Sequence, residues 1–199
     1  LKRRAERAPS LTAQSDVLDR FIAQLPFKMT GAQTRAWAQI QQDMISDNPM
    51  HRLLQGDVGS GKTVLAALAC AQCVSAGRQA AVMAPTEILA EQLFEKLHGW
   101  FTPLGINVAW LASSVKKKTK AEVYAALTAN EVQIIVGTNA LIQDAVQFYD
   151  LGLAVIDEQH RFGVAQRLAL RQKMNESVQG QRTPQYDAPH QLMMSATPI

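Results

Sequence analysis

The stretch "RLLQGDVGSGKTVLAALACAQCVSAG", residues 52–77, changes character twice. A short apolar run gives way to a glycine-rich loop, Gly56 to Thr63, which passes into a long run of small apolar residues ending at Gly77. That order predicts a strand at "RLLQ", a loop, and a helix from Lys62 to about Ala76 with Gly77 beyond its last turn. The loop matches the pattern G-x-x-x-x-G-K-[ST] between the strand and the helix that the pattern requires. Gly56, Gly59 and Gly61 let the backbone curl, so that N–H groups along Gly56, Asp57, Val58, Gly59, Ser60 and Gly61 turn inward toward an anion. Lys62 is placed for the β- and γ-phosphates of a nucleotide, and the Thr63 hydroxyl is a hard oxygen ligand suited to Mg²⁺.

Outward from this loop the chain alternates between two periods. Downstream strands are predicted at 80–84, 106–112, 132–137, 151–157 and 191–196, with helices at 87–100, 120–129 and 164–174 between them and a short turn near 139–144. Upstream, Thr30 is a candidate N-cap for a helix through Asp47. Strands apolar throughout, separated by amphipathic helices, indicate an α/β fold with a central, mostly parallel sheet covered on both faces. The helical spacing of Val17, Leu18, Phe21, Ile22 and Leu25 marks a linker helix in residues 1–25, ahead of a domain spanning 26–199. The polar run 175–190 is the one long connection and is expected to be mobile.

The second informative stretch is "VIDEQHRFG", Val155 to Gly163. Its adjacent acids point to opposite faces if strand-like, so they cannot straddle a sugar as a glycosidase pair does. With a phosphate loop upstream, Asp157 at the strand end suits the Mg²⁺ that bridges the phosphates, and Glu158 suits the attacking water. Gln159 and His160 are neutral hydrogen-bonding groups placed to sense the γ-phosphate. "SAT", Ser195 to Thr197, also ends a strand and is a candidate partner for His160.

The chain has 199 residues, 47% hydrophobic, with a formal net charge of +3. That is enough to bury a sizeable core, and the mild basicity is compatible with a nucleic-acid partner. No apolar run is long enough for a membrane span and no secretory signal is visible. With no disulfide framework among two cysteines, a cytoplasmic setting is expected. A sequence opening on Leu1 and stopping just after "SATP" is expected to be a piece of a larger protein.

Taken together, "GDVGSGKT", "APTEILAEQ" (84–92), "VGTNALIQ" (136–143), "IDEQHRFGVAQR" (156–167) and "SATPI" (195–199) resemble, in order and spacing, the first RecA-like lobe of superfamily-two helicases. Within that superfamily the chain is most similar to the RecG family of bacterial branch-migration helicases, over about residues 26–199. Transcription-repair coupling factors share a similar "HRFG" segment but typically carry a second acid where this chain has Gln159.

The resemblance implies a RecA-like nucleotide-binding lobe that uses ATP and Mg²⁺ to drive movement on branched or forked DNA, in the bacterial cytoplasm with the nucleoid. It implies a catalytic set of Lys62, Asp157, Glu158 and His160, with Thr63 and Asp157 toward the metal. Phe27 and Gln33, in "LPFKMTGAQ", would lie near adenine, with Gln159 also at the nucleotide. Gln159 and His160 would couple hydrolysis to Ser195 and Thr197, while Pro85, Thr86, Glu87, Gly137 and Thr138 would face DNA. Asn139 stands where many RecG sequences have His, which puts the neighbouring DNA contact in question. A second helicase lobe with an arginine finger and an N-terminal wedge domain would complete the machine, so this piece alone is expected to bind nucleotide weakly and not to translocate. A different translocase, or a nucleotide-dependent interaction module without hydrolysis, are the alternatives.

Other features take simpler readings. Cys70 and Cys73 fall mid-helix with no second pair and read as packing residues. Trp37, Trp100 and Trp110 read as core, and His51, His98 and His190 receive no chemistry. Phe162, after the acidic motif, is a candidate for packing between lobes. "KKKTK", 116–120, and the basic cluster Lys2, Arg3, Arg4 and Arg7 are either solvated or in contact with phosphate.

Overall fold

The computed structural model describes residues 5–56, 61–143, 145–157, 163–183 and 185–195. Six strands, β1 (His51–Gln55), β2 (Gln79–Met83), β3 (Val108–Leu111), β4 (Ile134–Gly137), β5 (Leu151–Asp157) and β6 (His190–Ser195), form one sheet in the order β1-β6-β5-β2-β4-β3. Every pairing is parallel. Successive strand residues feed opposite cores, which is why these strands read as unbroken apolar runs. Ala80, Val82, Val155 and Leu192 enter one core, and Ala81, Met83, Ala154 and Met193 enter the other.

Helices α1 (Val17–Gln24), α2 (Gly31–Ile45), α3 (Lys62–Ser75) and α4 (Glu87–Phe101) contribute to the first core. Helices α5 (Lys117–Thr128) and α6 (Val164–Glu176) contribute Leu127 and Leu170 to the second. Helix α2 starts at the expected Thr30, whose hydroxyl accepts from Gln33 N at 3.1 Å while Gln33 Oε1 accepts from Thr30 N at 2.9 Å. This capping box satisfies two donors that a bare helix start leaves orphaned. In α3, Cys70 and Cys73 are fully buried among alanines, and burial pushes the Cys70 thiol up to about 12. They are packing residues.

Two expectations need correction. The lysine run predicted to precede a helix at 120 is itself the helix start, since Lys116 is the N-cap of α5. The run 175–190 is not a bare connection. It contains α7 (Val178–Arg182), capped by buried Ser177 and held by Val178 N to Phe148 O (3.1 Å) and Gln179 N to Tyr149 O (3.0 Å). A helix of five residues has too little periodic signal to be legible, and it forms here because tertiary hydrogen bonds fix it.

Residues 5–25 lie on the lobe. Ala8 and Leu11 are fully buried, Ala8 N donates to Asp47 O (2.7 Å) and Leu11 N to Met44 O (2.8 Å). Phe21 stacks on Phe101 with centroids 5.0 Å apart. Of the tryptophans, Trp37 is buried, whereas Trp100 and Trp110 are half-buried against the first core.

Buried polar groups gather at the amino edge of the sheet. His190 Nδ1 accepts from Met50 N at 3.0 Å, which fixes the proton on Nε2, 2.7 Å from the Pro9 carbonyl. Gln79 donates to the carbonyls of Leu127 and Val132 (2.9 and 2.8 Å) and accepts from the amides of Tyr149 and Asp150 (2.8 and 3.1 Å). Both close backbone groups that a parallel sheet leaves open where its strands begin.

Candidate nucleotide site at the carboxyl edge of the sheet

In open α/β sheets ligands bind beyond the carboxyl ends of the strands. Register brings six such ends abreast: Gln55 pairs with Ser195, Asp157 with Met194, Ile156 with Met83, Met83 with Gly137, and Gly137 with Leu111. Predicted site residues far apart in sequence therefore occupy one row.

At the β1 end, Gly56 N donates to Ser195 O at 3.3 Å. Lys62 opens α3, and its Nζ donates to the carbonyls of Gly56 (2.9 Å) and Ser195 (3.0 Å), tying the ends of β1 and β6. Gly61 holds a left-handed φ of +83°, and a Cβ there would collide with the Gln33 side-chain amide. Glycine is required there on both counts. Gln33 thus lies against the exit of the phosphate loop with its Oε1 committed to the capping box.

Phe27, Gly61, Lys62, Thr63 and Asp157 line a single cleft of about 650 Å³. The Thr63 hydroxyl and the Asp157 carboxylate supply the hard oxygens that Mg²⁺ takes, so the donor set fits that ion. Among the described residues no cluster of three or more His, Cys, Asp or Glu forms a separate metal site. Asp57, Val58, Gly59, Ser60, Glu158, Gln159, His160, Phe162 and Thr197 lie outside the described residues, as do Lys2, Arg3 and Arg4.

A further part of the cleft lining is not legible as such in the sequence. It is α4, through Leu89, Gln92, Leu93, Lys96 and Trp100. The spacing of Leu89, Leu93, Lys96 and Trp100 follows one helical face, and that signal was present. Trp100, read as core, lines the same cleft as the exposed Phe27 ring.

The residues assigned to DNA lie on the same edge, beyond β2 and β4. Thr86 caps α4, accepting from Leu89 N at 3.3 Å. Glu87 accepts from Ser114 N and Ser114 Oγ at 3.2 and 2.9 Å, joining the start of α4 to the loop after β3. Gly137 is buried at the end of β4, where a Cβ would run into the Leu111 carbonyl. Thr138 caps a 3-10 turn, Asn139–Ile142, which leaves Asn139 exposed.

Comparison with known proteins identifies the family. Residues 30–199 match the DEAD/DEAH box helicase family. The chain belongs to this family. It is 53% identical to the ATP-dependent DNA helicase RecG of Haemophilus influenzae over 94% of its length, and 52% identical to that of Escherichia coli K12 over 96%. It spans about a quarter of those relatives, 26% and 27%. A solved structure of RecG bound to a three-way DNA junction superposes with a TM-score of 0.81 at 40% identity, covering 98% of this chain and 24% of that one. The helicase MrfA bound to DNA shares the fold, with a TM-score of 0.67 at 17% identity over 98% of this chain and 28% of that one. No helix among the described residues is long and apolar enough to cross a membrane.

Proposed function

We propose that this chain is the ATP-binding lobe of an ATP-dependent DNA helicase that remodels branched and forked DNA, including branch migration of Holliday junctions. The observation that carries this reading is the single row of strand ends, with the phosphate-loop lysine tied to the ends of β1 and β6, Asp157 ending β5, and Thr86, Glu87 and Thr138 just beyond β2 and β4. A lobe built this way holds a nucleotide and a DNA backbone on one rigid edge. Similarity to RecG over nearly the whole chain supports the choice of substrate.

In this reading Lys62 leaves its carbonyl partners to neutralise the β- and γ-phosphates, and the loop N–H groups cradle them. Thr63 and Asp157 would hold Mg²⁺, which would supply electrostatic stabilisation for phosphoryl transfer. Glu158 orients the attacking water and accepts its proton, and Gln159 and His160 pass the presence of the γ-phosphate to Ser195 and Thr197. Phe27 and the α4 wall receive the base. A second lobe and a wedge domain of the full-length protein, acting in the bacterial cytoplasm, complete the translocase.

The test is Glu158→Gln in the full-length protein. Turnover falls about 100-fold or more, the usual loss for a general base, while nucleotide affinity is kept. Unchanged turnover would remove Glu158 from its role.

A further inference from the structure

The run Lys116 to Lys120 has no part in the site described above. In the structure it forms the N-cap and first turn of α5, with no acid in that turn and no side-chain hydrogen bond at the cap. Helix starts favour Ser, Thr, Asp or Asn at the cap and acids in the first turn, because the macrodipole is positive there. Four lysines oppose that preference. Lys118 precedes Glu122 by four residues, the less favourable order for a helical pair, and no ion pair holds any of these lysines among the described residues. Lys116, Lys117 and Lys118 are exposed, and Lys120 donates to the Ser113 carbonyl at 3.1 Å.

The position of this run matters. It follows the carboxyl end of β3, beside Glu87 through the Ser114 bonds, and Leu111 pairs with Gly137 in the next strand. The cations therefore continue the edge that carries residues 85–87 and 137–138. A local sequence that works against its own helix is expected where a surface has a job besides folding.

We propose that Lys116, Lys117, Lys118 and Lys120 form a docking patch for the phosphate backbone of duplex DNA, extending the DNA-facing edge onto β3 and α5. The proposal rests on the helicase reading above. Duplex is the occupant because it carries one charge per about 1.7 Å of axis, and each neutralised phosphate steepens the salt dependence of binding by about 0.9 in log–log slope. The patch reads no sequence, since its ligand is backbone alone.

The experiment uses the full-length protein with K116Q, K117Q, K118Q and K120Q combined, and the matching set of Lys→Arg substitutions as the conservative control. Affinity for a blunt duplex of about 30 base pairs is measured between 50 and 200 mM NaCl, where loss of about three phosphate contacts flattens the slope by about 2.7. At the low-salt end the glutamine set binds at least 10-fold more weakly, and the arginine set binds as the parent does. ATP turnover without DNA is unchanged. The thermal midpoint is unchanged or higher, because cations have left a positive helix end.

An unaltered slope and affinity in the glutamine set overturn the patch while leaving the helicase reading intact. A loss confined to single-stranded DNA overturns the duplex assignment. A parent protein whose ATP turnover ignores DNA overturns the helicase reading, and the patch with it.

Discussion

Gly137→Ala tests whether the row of strand ends is as tightly built as described. Gly137 is the last residue of β4, buried and paired with Leu111 of β3 and Met83 of β2. An added Cβ would run into the Leu111 carbonyl and also stand 3.0 Å from its carbonyl carbon and 3.2 Å from Leu141 Cδ2. The obstacle is main chain in a ladder, which cannot rotate away as a side-chain tip can. Overpacking of this kind costs about 1–3 kcal/mol, and the rigid neighbour argues for the upper half. With a urea slope of about 2 kcal/mol/M, that upper half lowers the unfolding midpoint of this chain by about 1–1.5 M. The contrasting change is Gly99→Ala, an exposed helix position with no atom within 4 Å of the new Cβ. There alanine is the better helix former and the midpoint rises, by about 0.5–1 kcal/mol of stability. Urea unfolding followed by circular dichroism measures both. An unchanged midpoint for Gly137→Ala would mean that the ends of β3 and β4 move freely, and the placement of the loops proposed to face DNA would lose its basis.

Three further outcomes follow from the same structure. Burial holds the His190 imidazole below its ordinary value of 6.5, offset in part by its bond to Pro9 and by Asp43, with His51 and Arg78 also lowering it. The unfolded chain therefore binds the proton more readily. The contribution of His190 is present above about pH 6.5 and is lost as pH falls through the folded value, so a midpoint that fails to drop between pH 7.5 and pH 5 in the parent relative to His190→Ala would contradict it. His190→Ala itself leaves Met50 N–H and the Pro9 carbonyl without their partner, at about 1–3 kcal/mol for each group that stays buried, read by the same unfolding curves at pH 7.5. Cys70 and Cys73, fully buried with thiols pushed up by burial, react with a thiol reagent at pH 8 only as fast as the chain unfolds, and rapid native labelling would show α3 to be loosely packed.

The fold was legible wherever period and punctuation agreed. Thr30 at the start of α2, the glycine loop between β1 and α3, and the apolar run of β5 ending in Asp157 were all read within a few residues. The strand order was not, because β1 pairs with β6 across more than a hundred residues and nothing local records that partner. The start of α5 was missed because lysines are poor cap residues, and α7 because five residues carry no period. The amino-edge hubs Gln79 and His190 were illegible for a related reason. A lone polar residue shows its value only when folding brings carbonyls and amides around it. In the site, the phosphate loop and Asp157 declared themselves by motif, whereas the α4 wall did not, since its residues were already accounted for by helix packing.

The central claim, that one sheet edge joins nucleotide and DNA, is tested most directly by ATP turnover of the full-length protein with and without forked duplex DNA. Turnover should rise on adding the fork, be abolished by Lys62→Ala, and be absent with or without the fork from this 199-residue chain alone, because in the proposed reading a second lobe closes the cleft. Turnover indifferent to DNA, or surviving the loss of Lys62, would contradict it.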